Sequence, residues 1–259
     1  MKHIEKSPVE PERLARYRQY HPRDTWDKFH KRDRVGYHQL KEQLLRDQHG
    51  LCAYCEITIC LSDTDEELDD FRVEHFHPKT GTERSRHNYH LDWQNLLGVC
   101  HGGSQPYVAE ARYRYASRAE DRSCDVPKSD KALTDVILNP LKIPASARLF
   151  KYDSFTGAME VDEETCPAEL VRKARRSLQE LNLNCGRLKR LRRAVLEVLQ
   201  EQVDSLLGEG MSLEDALALL AREMLDPGPN GRYPAFFTCI RWFLGSAAEA
   251  FLAGRHYEV

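Results

Sequence analysis

Val73-Glu74-His75-Phe76-His77-Pro78-Lys79 is the stretch on which the reading of this 259-residue chain turns. From Phe71 to Glu74 apolar and charged side chains alternate, as in a short strand, and Pro78, which has no N–H to give to a ladder, ends it. An acid and a histidine therefore stand side by side at a strand end. Upstream is a Cys-x-x-Cys pair, Cys52 and Cys55; downstream come Trp93-Gln94-Asn95-Leu96-Leu97 and two further cysteines, Cys100 and Cys124. A lone Cys-x-x-Cys reads equally as a redox pair or as two small core residues. Two pairs flanking an acid–histidine dipeptide read differently, because zinc prefers four sulfur ligands in a tetrahedron at roughly 2.3 Å. The spacing describes one folding unit in which Cys52, Cys55, Cys100 and Cys124 hold a structural zinc while a carboxylate, a histidine and an asparagine face a second, catalytic ion. Between Cys100 and Cys124 lie 23 residues, where compact zinc sites have about two to four, so His101 to Ser123 reads as an insert. Cys60 and His101 are the alternative ligands should Cys124 be remote.

The order Cys-x-x-Cys, Glu-His-x-x-Pro-Lys, Trp-x-Asn-Leu-Leu, Cys100 and Cys124-Asp-x-x-Lys128 resembles the HNH endonuclease family, whose catalytic core is a ββα-metal finger. More narrowly, Met1-Lys-His-Ile-Glu-Lys6 and Gly50-Leu-Cys-Ala-Tyr-Cys-Glu56 look like the HNH component, the PtuB type, of Septu and retron-associated anti-phage systems. The general likeness covers about a third of the chain, and the narrower one extends into the C-terminal helices through Leu181-Asn-Leu-Asn184. The resemblance implies an α+β protein with a zinc-stapled ββα-metal core embedded in a mostly helical chain. It implies that Glu74 ligates a catalytic Mg or Mn ion, that His75 is the general base, and that Asn95 bonds backbone groups to fix the loop that orients His75. Many family members carry His or Asn after the last cysteine; here Asp125 takes that place. Aspartate suits magnesium or manganese, although Asp also opens helices as an ordinary N-cap. A partner ATPase of the ABC or SMC kind, the PtuA type, is implied as well.

The residue types agree with phosphodiester hydrolysis. A base must deprotonate water, and histidine is the side chain whose ordinary pKa, near ~6.5, lies close to working pH. A hard cation must neutralise charge on the phosphate and the leaving oxygen, and carboxylates are its natural ligands. His77, His87, His90 and His101 crowd the same region, where each is by default a satisfied structural histidine.

Composition bounds the rest. A net charge of -3 excludes a uniformly basic protein, so any nucleic-acid surface has to be local. Eight cysteines with no apolar leader after Met1-Lys-His read as thiols and metal ligands of a cytoplasmic chain. Ala235 to Gly254 is long enough for a membrane span, but Arg241 and Glu249 inside it would cost roughly 2.5 to 3.5 kcal/mol each near a bilayer centre, so a buried helix is expected and no membrane association.

The first 35 residues read as an extended arm with short helical pieces wrapped over the core. A helix from Tyr37 to Gln48, stopped at Gly50, delivers the chain into Cys52. Ser62 to Asp70 holds six carboxylates in nine residues but lacks the glycine and spacing of a calcium loop, so it reads as a solvated loop. The insert carries Arg112, Tyr113, Arg114, Tyr115 and Arg118, types that bind phosphates and stack on bases. Val136 to Pro140 and Leu149 to Tyr152 look like strands, and helices follow from Pro167. Between Val171 and Val195 stand nine Lys or Arg and one acid, Glu180. With Lys79 and Lys128, the tract's Arg172, Arg175, Arg176, Lys189, Arg190 and Arg193 form the expected nucleic-acid contacts, DNA ahead of RNA.

The expected organisation is residues 1-50 as arm and helix, 51-135 as the nuclease core with its insert at 101-123, and 136-259 as a mainly helical region. A non-cleaving, zinc-stapled binding or regulatory subunit of the ATPase complex is the alternative to a nuclease.

Overall fold

The computed structural model describes residues 1–62, 68–79, 87–108 and 111–258. Most of the acidic run, residues 63–67, lies outside them, as do 109 and 110 of the insert. The arm is more ordered than its composition implies. It forms α1 (Glu12–Tyr20) and α2 (Trp26–Arg32), which lead into α3 (Arg34–Asp47). Leu14, Tyr17, Trp26 and Phe29 fall at spacings that bury them against Leu40 and Leu44 of α3 and against Leu91, Trp93 and Leu96. Before α1 the buried ammonium of Lys6 lies 3.7 Å from the centre of the Trp93 ring and donates to the carbonyls of Trp93 and Leu96. A mixed-charge arm thus buries its aromatics and the stem of a lysine. Asp33 caps α3 by accepting from the Gly36 N–H at 2.9 Å, and the chain leaves past Gly50, whose φ of +73° suits glycine.

Among the described residues two antiparallel pairs make up the sheet structure: β1 (Phe71–His75) with β2 (Leu96–Cys100), and β3 (Phe150–Tyr152) with β4 (Met159–Val161). In the first, Glu74 is opposite Leu97 and His75 opposite Leu96. β2 is buried throughout. Two one-turn helices belong to the insert and its exit, α4 (Ala111–Arg114) and α5 (Asp125–Lys128).

Val136 to Pro140 is not a strand. Its Leu138 N–H goes to Ser177 Oγ at 2.9 Å, and Asn139 Oδ1 accepts from the Leu141 N–H as Pro140 opens a 3-10 turn. Ile137 and Leu138 are buried, so the apolar run records core packing and not a ladder.

The C-terminal region comprises α6 (Ala168–Glu180), α7 (Gly186–Gly208), α8 (Leu213–Leu225) and α9 (Phe237–Gly254). Ser212 caps α8 through the Asp215 N–H. Leu199 and Val203 of α7, Leu220 and Leu225 of α8, and Phe237, Ile240, Leu244 and Leu252 of α9 form one core. A larger one takes in the cysteine region, β3, β4 and the start of α7. In α9 the Arg241 guanidinium makes two bonds to Glu249, at 2.7 and 2.8 Å, and reaches the carbonyls of Ala145, Ser146 and Ala147. Those two charges are therefore answered inside the protein. Among the described residues no helix is long and apolar enough to cross a membrane.

Candidate metal centre and active site

Four thiols converge from three places. Cys52 and Cys55 lie on a tight turn in which the Cys52 N–H bonds Ile57 O and the Glu56 N–H bonds Cys52 O. Cys100 ends β2, and Cys124 precedes α5 with φ of 61°, its N–H donating to Leu181 O at 2.9 Å. All four Sγ atoms lie within 4.8 Å of one another, with Cys55–Cys100 and Cys100–Cys124 at 3.6 Å and Cys52–Cys124 at 3.9 Å. A tetrahedron with ~2.3 Å arms has edges of about 3.8 Å, so the spacing fits a four-sulfur metal site. The split second pair is spanned because the insert folds away and returns: Gly102 O accepts from Ser123 N–H at 2.9 Å.

Backbone donors already face the sulfurs, Cys100 N–H to Cys52 Sγ at 3.3 Å and Gly102 N–H to Cys100 Sγ at 3.4 Å. Burial resists ionisation, and it holds Cys55 and Cys124 well above the usual thiol range; hydrogen bonds from its three neighbours nevertheless draw Cys52 well below it. A buried cluster with four converging sulfur donors is suited to a divalent cation, whose binding would displace the thiol protons. Neither alternative ligand takes part. Cys60 donates to Asp70 Oδ2 at 3.1 Å, and His101 Nε2 is bound to Asp69 O at 2.8 Å.

The acid–histidine pair sits at the end of β1, where strand geometry sends neighbours to opposite faces. Glu74 faces α5. Its Oε1 is 2.6 Å from the Nζ of Lys128, which also donates to His75 O at 3.1 Å. Burial pushes the Glu74 carboxyl up to about 7 despite Lys128. Asp125, the first residue of α5, is held by Arg72, with Nη2 to Oδ1 at 2.9 Å and Nε to Oδ2 at 2.5 Å. Burial likewise raises Asp125, against the pull of Arg72. Arg72 was missed from sequence, although it stands two residues before Glu74 on the same strand face. Tyr54, between the first two cysteines, is fully buried, its hydroxyl unbonded among the described residues, and burial followed by the Glu74 and Asp125 charges raises it well above the phenol range. The thiol cluster and the carboxylates are thus adjoining.

His75 faces the other way, edge-on to Trp26 with ring centroids 5.0 Å apart. Its Nε2 is 3.1 Å from His90 O. A carbonyl only accepts, so Nε2 carries the hydrogen and Nδ1 keeps a lone pair. Burial lowers His75 to about 3, which keeps the ring neutral at physiological pH. The Nδ1 lone pair is therefore basic in kind, while burial opposes the charged form that proton uptake would create.

Asn95, buried beside it, uses its whole amide on backbone: Oδ1 accepts from the His77 N–H at 2.7 Å, and Nδ2 donates to His77 O at 3.0 Å and Tyr89 O at 2.9 Å. It pins the segment after β1 to the segment bearing His90. The remaining histidines have structural partners, His77 with Thr134 Oγ1 and His87 with Asp92. Lys79 is half-buried near His75, and its charge contributes to lowering that ring.

Lys128, expected at a phosphate, is only 1% exposed and is committed to Glu74, because the one-turn α5 points it inward. Of the basic tract, Arg175 pairs with Glu163, Arg176 with Glu180 and Arg193 with Glu197. Arg172 and Arg190 are exposed and Lys189 half-buried, with no ion pair among the described residues; Arg187 and Arg192 are interior.

No family model matches the chain, and no solved structure does. Over 213 residues, covering 76% of this chain and 79% of the relative, it is 34% identical to an Escherichia coli protein named "Retron Ec83 putative HNH endonuclease".

Proposed function

The chain belongs to the HNH endonuclease family, and from that premise we propose that β1, β2 and α5 form a ββα-metal unit in which His75 is the general base for phosphodiester hydrolysis. The observation that carries this is the His75 tautomer. With Nε2–H held by His90 O, Nδ1 is the free lone pair, on a ring that burial keeps neutral. Asn95 keeps that carbonyl in place through the Tyr89 and His77 backbone.

Cys52, Cys55, Cys100 and Cys124 form a closed structural zinc site in this reading, with no carboxylate donor and no open position. Glu74 and Asp125 are the donors for Mg or Mn, which when bound would neutralise charge on the phosphate and leaving oxygen. Their present counter-ions, Lys128 and Arg72, hold them buried and pre-positioned. The same pairing favours a second reading, a zinc-stapled subunit that binds nucleic acid without cutting it.

The relative's name ties that protein to a retron. For this chain we infer an effector role in retron-associated or Septu-type anti-phage defence, beside an ABC or SMC ATPase of the PtuA type, with DNA as the substrate. Residues 51-135 are the nuclease unit in this proposal, and 136-259 serve assembly.

His75→Ala decides between the two readings. Cleavage of supercoiled DNA should fall ~100- to 10,000-fold, the range for a lost general base, in protein that is still folded and still holds its zinc. Undiminished cleavage would leave the binding subunit as the reading.

A further inference from the structure

Arg187, the second residue of α7, is 1% exposed and one of the largest fully buried side chains. One of its nitrogens is bonded: Nη2 donates to Ser123 Oγ at 2.7 Å. Among the described residues its Nε and Nη1 are buried without a partner. A cation with two unmet donors is unfavourable in a protein interior unless opposite charge lies nearby. Among the described residues, the carboxylate lining the same cavity, Asp70, is already taken by Arg114 Nη1 at 2.9 Å and by the Cys60 thiol, and Asp121 accepts from the Gly186 N–H. Arg72 and Asp125 answer each other.

The thiol cluster remains. Arg187 shares the wall of a small cavity with Cys100 and Gly102, and the Ser123 Oγ that it binds is 3.6 Å from Cys124 Sγ. Gly103 lets the guanidinium this close to the insert, since a Cβ there would lie 3.1 Å from Nε and its φ is +87°.

We propose that Arg187 is the counter-charge of the cysteine centre: its guanidinium balances the negative charge that four thiolates leave on a divalent ion, and Ser123 sets its position. This rests on the zinc reading of the four cysteines. Four thiolates on a 2+ ion leave a net charge of about -2 in a dry core, where backbone N–H donors supply only partial charge. Because Arg187 opens α7, metal loading and docking of the C-terminal helices become one event.

The test is zinc affinity, measured on purified full-length chain by competition with a chromophoric chelator, with the thiolate-to-Co²⁺ charge-transfer band as a second readout. Arg187→Met should lower affinity ~10- to 100-fold, the usual cost of losing a group that supports metal ligands, and Arg187→Lys should restore most of it. Arg192→Met is the control. It too removes a buried α7 arginine, but one bonded to Gly157 O, Leu183 O and Asn184 Oδ1, and it should leave zinc affinity intact. Unaltered protein that binds no zinc would overturn the zinc reading and this inference together. Zinc-loaded protein with unchanged affinity in Arg187→Met would overturn this inference alone, as would equal losses in Arg187→Met and Arg192→Met. If Arg187→Met does not fold, Arg187→Lys and Arg187→Gln are compared, and a Lys variant no better than Gln overturns it.

Discussion

Adjacent residues on one strand, the half-buried Glu74 and the buried His75, lie on opposite faces, and loss of solvent moves them in opposite directions. Burial penalises whichever form carries charge, so the acid rises to about 7 and the imidazole falls to about 3. For His75 the folded value lies below the ordinary 6.5. Between those pH values the unfolded chain binds a proton that the folded chain does not, so this contribution to stability is complete above 6.5 and is lost as pH falls. For Glu74 the folded value lies above the ordinary 4.5. Its contribution is complete below 4.5 and is lost as pH rises through 7. Thermal melting without added magnesium should therefore show His75→Asn with a shallower loss of stability below pH 6.5. Glu74→Gln should show a shallower loss between pH 4.5 and 7. Curves parallel to the unaltered protein would show that neither group is as buried as described. The residue types at these positions were legible in the sequence, but the counter-ions Arg72 and Lys128 were not read as such, because pairing across 53 and 54 residues of chain depends on where α5 docks.

At the scale of elements, the turn joining β3 and β4 is locked onto α7. Gly157 has φ of +69°, and a Cβ there would stand 2.1 Å from Lys189 O, while its own carbonyl accepts from Arg192 Nε at 2.7 Å. Gly157→Ala should cost more than the ~1 kcal/mol that conformational entropy could return, because it adds a backbone clash to an unfavourable φ. Gly208, the last residue of α7, has nothing within 4 Å of its Cβ position and no positive φ. Gly208→Ala should stabilise by about 0.4 to 1 kcal/mol. Urea denaturation measures both, and a Gly157→Ala protein as stable as Gly208→Ala would show that the turn is not docked. The helix α3 and those from α6 onward were legible because periodic leucines, and for α3 the stop at Gly50, carry local signals. Val136 to Pro140 misled because a short apolar run fits a strand and a buried loop equally. Here Ser177, on α6 and 39 residues further along the chain, decides by taking the Leu138 N–H. The arm was under-read because its aromatics find their partners only in α3 and around Trp93.

For the whole molecule, Cys124 ties the C-terminal helices to the metal region, its N–H on Leu181 O and its sulfur beside Cys52 and Cys100. Cys124→Ser should lose zinc and solubility together, and a full equivalent of zinc retained on metal analysis would exclude Cys124 as a ligand. Nucleic-acid binding is the other property of the whole, because a chain with net charge -3 cannot attract DNA uniformly. Three of the six expected contacts on α6 and α7 are spent on acids, namely Arg175, Arg176 and Arg193. Arg172 and Arg190 are exposed without an ion pair among the described residues, so they have their full charge to offer a phosphate. Removing one arginine from a phosphate should reduce the slope of log affinity against log salt by about 1, uniformly across sequences. Arg172→Gln with Arg190→Gln should therefore flatten that slope by about 2, measured by fluorescence anisotropy on duplex DNA. Arg175→Gln with Arg193→Gln, which removes charges already neutralised by Glu163 and Glu197, should change it less. If the first pair leaves the slope unchanged, α6 and α7 do not carry the backbone, and the binding surface has to be sought around Lys79 and the insert.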